Sequence, residues 1–185
     1  MSLFEFIVGM ISVIFALAIA RLFSGITELI QNRSNIRFTL VQPVWVLNLF
    51  LLTFLHWWTL WAFRDLDWNF LMFFYSLIGP SLMFLASTII SPRVHTGQNV
   101  DLNAYFLDIR RYFLSVFVVM ALFFSLDGPL FGTEKFLNPA RAVQIAVIVG
   151  ASGGLLSDSP RVQKVIALAV LTSLVALTVV RFFPG

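Results

Sequence analysis

Few side chains in this 185-residue sequence could do chemistry: it has two histidines, nine carboxylates and no cysteine. His56 stands out by its setting. It lies in the stretch from Phe54 to Trp68, where an apolar run gives way to Arg64, Asp65 and Asp67, and four of the five tryptophans crowd together. An imidazole titrates near neutral pH, and beside carboxylates it could hold a cation or pass a proton. Read as a helix, the region puts Trp45, Asn48, His56 and Thr59 within about 80° of one another, with Phe50, Phe54, Trp57 and Trp61 opposite. The candidate polar path or ligand contact is therefore Asn48, His56 and Thr59. Glu5, Arg64, Asp65 and Asp127 join it, because with Asp67 and Glu134 they should approach the same surface. The plainer alternative is a buried imidazole bonded to a neighbouring helix, beneath solvated loop charges.

Other chemistries find no support. No H-E-x-x-H, G-x-S-x-G or P-loop pattern occurs, and two histidines without cysteine are too few for a zinc site. Haem b would leave His56 without a second histidine at depth. Lys135 and Lys164 lie near segment ends, where a retinal lysine would not, and no T-V-G-Y-G filter is present. No cofactor, no metal and no catalysis are expected.

Positioning falls to lipid-spanning helices. The chain is 59% hydrophobic and 11% charged, with 21 phenylalanines and a mean hydropathy of +0.93. Soluble domains run nearer about 45–50% apolar and about 25% charged, so the bilayer must be the solvent. The net charge of +3 comes from basic residues scattered at the ends of apolar segments. That pattern points to the lipid bilayer as partner and not to nucleic acid. The first apolar run has neither a basic leader nor a small-residue cleavage site, and is expected to be retained.

Six segments approach the roughly 20 residues that cross a bilayer: 3–30, 40–63, 69–91, 105–127, 139–156 and 161–183. This predicts an all-α fold, a polytopic bundle of six transmembrane helices forming a single transmembrane domain over 1–185. Short connections make sequential helices antiparallel neighbours. In the first helix Glu5, Gly9, Ser12, Ala16 and Ala20 share a face that would admit another helix closely, while Arg21 should snorkel to the far interface. Gly79-Pro80 predicts a kink in the third helix, of the kind that can line a substrate path. A flexible loop at 92–101, with His95 and Gly97, should lead to Asp101 as the cap of the fourth helix. The start of that helix should rest at the interface on Leu102, Phe106, Ile109 and Phe113, and Asp127-Gly128-Pro129 should stop it. Asn138-Pro139 opens the fifth helix, where Ala142, Ala146, Gly150 and Gly154 predict close packing within the chain or between subunits.

Seven Lys/Arg residues flank connections 1–2, 3–4 and 5–6 against four on the other side, with Arg21 left out as intramembrane. This bias places those connections in the cytoplasm and both termini outside, in the periplasm. Ile11–Ile14 and Leu114–Phe117 open similar stretches that reach Gly25 and Gly128 at equal spacing, which suggests an inverted three-helix repeat.

Phe4-Glu5 before an apolar helix ending Ala20-Arg21-Leu22, then His56-Trp57-Trp58 with Trp61 and Arg64-Asp65, then Asp101-Leu102 with Tyr105-Phe106, resemble a family of small, uncharacterised multispanning bacterial inner-membrane proteins. The resemblance covers most of the chain. It implies the location and carries no activity. Together these features lead to an oligomeric channel or transporter-like path for ions or small solutes. The alternative is an accessory or sensor module that binds a partner protein or lipid.

Overall fold

The computed structural model describes residues 2–94 and 99–182. His95 and Gly97 lie outside the described residues, as does the Arg181 side chain. The helices are α1 (Leu3–Gln31), α2 (Val41–Thr59), α3 (Phe70–Ile90), α4 (Leu102–Leu130), α5 (Pro139–Gly154) and α6 (Pro160–Phe182). A 3-10 turn, Leu60–Phe63, extends α2. A two-residue parallel bridge pairs β1 (Ile36–Arg37) with β2 (Val100–Asp101). Among the described residues, five helices are long and apolar enough to cross a membrane. The exception, α5, has 16 residues, about 24 Å of rise. It packs along the second half of α4: Arg141 at its start reaches Ser125, and Gly154 at its end lies against Leu114, near the middle of α4.

The helix starts follow local chemistry. Ser2 and Glu5 form a reciprocal capping box on α1. Asn69 caps α3 and Asn138 caps α5, each accepting from a backbone N–H three residues on. Asp101 accepts from the N–H groups of Asn103 and Ala104 at 2.8 and 3.1 Å. The Ala104 bond holds its carboxyl below the usual range, with the Asn103 N–H and the Arg37 guanidinium adding to the effect.

The helices α1, α3, α4, α5 and α6 follow one another in an arc, and α2 closes its open side, touching α1, α3, α4 and, most extensively, α6, with Leu47, Phe54 and Trp57 facing outward. Sequential helices are neighbours from α3 onward. The first pair departs from that expectation, because α1 packs mainly on α3 and runs parallel to it. Phe4 meets Trp68 at one end, and Gly25 lies against Ser91 at the other. The inverted repeat fails for the same reason. The first half pairs its outer helices, whereas α4 and α6 both pack on α5 and barely touch. Nor does α4 lie flat at its start: it is one unbroken helix with Leu102, Phe106 and Phe113 buried. Asp127-Gly128-Pro129 forms its last turn, and the helix ends one residue later, at Leu130.

The core is aromatic at its centre. Trp45 is fully buried, with the rings of Phe113 and Phe117 edge-on at 5.3 and 5.0 Å. In hydrocarbon the last carbonyls of a helix have no water to bond, and α3 meets this problem with side chains from three helices. Tyr105 of α4 donates to the Ile89 carbonyl at 2.7 Å, Gln42 of α2 to Ile90 at 3.3 Å, and Arg21 of α1 to Ser91 at 2.8 Å. Arg21 also lies 3.6 Å from Glu28, so it is held by protein and does not reach out alone.

Candidate functional site

His56 and Asp127 meet near one end of the bundle. The Nε2–Oδ2 distance is 3.4 Å, and the side chains are only 7% and 9% exposed. His56 comes from the last turns of α2, where the polar stripe faces inward. Asp127 comes from the last turn of α4. The imidazole stacks on Phe124 with centroids 3.7 Å apart and planes at 16°, and Phe15 closes it edge-on at 5.8 Å. A charged imidazolium would gain from the Phe124 face as well as from the carboxylate. The Tyr75 hydroxyl donates to the Phe123 carbonyl at 3.1 Å and also faces Asp127.

Gly79 is what lets Phe124 reach the histidine. A Cβ at Gly79 would stand 2.2 Å from Phe124 Cε1 and 2.7 Å from Cδ1, closer than any real contact. α3 runs unbroken through Pro80, so Gly79-Pro80 forms no broken helix lining a path. Gly79 is instead a notch for an aromatic ring.

Beside the pair is a cavity of about 50 Å³, lined by His56, Thr59, Ser125 and Gln144 among apolar neighbours. That is room for a few waters. Thr59 donates to its own helix, to the Leu55 carbonyl at 2.8 Å. Asn48 does not line this cavity. It is fully buried and donates to the Ala167 carbonyl at 3.0 Å, while its Oδ1 has no partner.

Nothing in the sequence marks Arg141 as a site residue. It is 9% exposed, and its Nη1 donates to the Ser125 carbonyl. Pro129 stands four residues after Ser125 and has no N–H, so that carbonyl loses its helical partner. The guanidinium takes the proline's place. The spacing from Ser125 to Pro129 is the signal that could have announced the need; nothing local names Arg141 as the donor.

The remaining candidates disperse. Glu5 is engaged in the Ser2 capping box. Arg64 and Asp65 pair with each other at 3.2 Å on the surface, Arg64 lying over the Trp61 ring. The packing face expected on α1 points outward: Gly9 meets nothing within 4 Å, Ala16 is exposed and Ser12 is half-buried. The buried face is Ile7, Ile11, Phe15, Ala18, Leu22 and Gly25. On α5, Ala146 is exposed and Gly150 makes only ordinary contact with Val170, while Gly154 is tight against Leu114.

The fold and its apolar helices define an integral membrane protein, an all-α helix bundle. Comparison with protein-family models, curated proteins and solved structures returns no match.

Proposed function

We propose that this protein is a non-catalytic membrane module that senses protonation at His56–Asp127 and acts through a partner, either a second copy or another membrane protein, without conducting solute itself. The observation that carries this reading is the enclosure of the pair. Phe15 and Phe124 wall it in, the cavity beside it is small, and the next polar group along the stripe, Asn48, is fully buried and bonded to the Ala167 carbonyl of α6. A conduit needs a continuous polar route, and this stripe offers two separate stations. A buried titratable pair near a membrane surface is suited to changing its charge state and with it the packing of α2 on α4. The basic-residue bias and the sequence resemblance support a bacterial inner membrane with both termini in the periplasm.

Proteoliposomes loaded with a pH-sensitive dye test the reading. Proton and potassium flux should match protein-free vesicles, while the ¹⁵N signals of the His56 ring shift between pH 5 and 8, and Asp127→Asn alters that titration. Flux that His56→Ala abolishes would restore the channel or transporter-like path. A ring that does not titrate would remove the sensor.

A further inference from the structure

At the opposite end of the bundle, α1 and α2 splay apart and leave a cleft of about 600 Å³. Its walls are Ile26, Leu29 and Ile30 of α1 and Val46, Leu47 and Phe50 of α2, with Phe38 and Arg33 from the connection over the mouth. Ile30, Leu47 and Phe38 are 58%, 51% and 70% exposed, so the cleft opens sideways, where acyl chains are. Its volume lies in the range of ligand pockets, about 300–1,000 Å³.

The mouth carries positive charge. Arg33 makes no ion pair among the described residues, whereas the next arginine along, Arg37, is matched by Asp101 at 3.6 Å. The first turn of α2 lies at the same place, since Gln42 and Pro43 line the cleft. That helix has no side-chain cap: Leu40 stands at the N-cap, so the positive end of a 19-residue helix is left unneutralised. Gln42 itself is 2% exposed and turned inward, its amide N–H donating to the Ile90 carbonyl at 3.3 Å, so it forms the floor of the cleft. An apolar cleft that opens towards lipid, with Arg33 and an uncapped helix start at its mouth, matches a phospholipid whose head is anionic.

We propose that the α1–α2 cleft binds an anionic phospholipid, one acyl chain between Ile30 and Leu47 and its phosphate at Arg33 and the α2 N-terminus. The site is independent of the His56 pair, so either reading can fail alone. The chemistry is charge-assisted hydrogen bonding to phosphate plus chain burial.

Native mass spectrometry of the full chain released from detergent, with phosphatidylglycerol and phosphatidylcholine of identical chains, tests it. Wild type should retain one phosphatidylglycerol with a preference of at least about tenfold. Arg33→Gln should bring the two lipids to near parity. Leu47→Trp, which fills the cleft from its exposed side, should lose both, with Ile30→Trp as a second filling variant should the first not fold. Equal retention of the two lipids by wild type overturns the headgroup assignment. Phosphatidylglycerol retention unchanged by a folded filling variant makes the lipid an annular one and overturns the cleft.

Discussion

Phe124 holds the His56 site together, and its position depends on an absent methyl group in another helix. Gly79→Ala places a Cβ into the Phe124 ring, so either the ring or α3 must move. We expect a loss of about 1–3 kcal/mol, read as a lower unfolding temperature in detergent, together with a changed His56 ring signal. Phe124→Leu in the same chain should recover much of that loss, since the clash and the relief are one contact. An additive double variant would show that Gly79 and Phe124 do not meet. The sequence singled out both His56 and Gly79 but not their link. A glycine before a proline looks like a backbone device, and the ring that needs the space is far along the chain.

Among the elements, the ends of helices decide more than their middles. Arg141→Ala strips the Ser125 carbonyl of its donor, an expected cost of about 1–3 kcal/mol for a buried unpaired group. Pro129→Ala returns an N–H to that carbonyl, so Arg141→Ala should cost less in that background. Thermal unfolding of the four proteins closes the cycle, and equal costs in both backgrounds would contradict the substitution of guanidinium for amide. Helix positions were legible in the sequence to within a few residues, because length, caps and prolines are local signals. The inward face of α2 was legible too, since Asn48 and His56 have no business in lipid. The face of α1 was not. Lipid tails are as apolar as a protein core, so Ile7 and Phe15 carry no mark of facing protein, and the small-residue stripe at Gly9 and Ala16 lies on the face that this chain leaves open.

At the scale of the whole molecule, the β1–β2 bridge ties the α1–α2 connection to the α3–α4 connection, and Asp101 is both a bridge residue and the cap of α4. Its carboxyl is depressed in the fold, so its stabilisation is present above the unfolded value of about 3.9 and is lost as pH falls through the lower folded value. Unfolding in detergent should therefore show Asp101→Asn closing the gap to wild type as pH drops below about 4. A gap that stays constant from pH 6 to pH 3 would refute the charged cap. The closure of α3 has a different kind of consequence, one of timing. Its final oxygens are satisfied by Arg21 and Gln42, made earlier, and by Tyr105, made later. During synthesis the third helix must wait for the fourth before its end is fully at rest in the bilayer, so the two should enter the membrane as a pair.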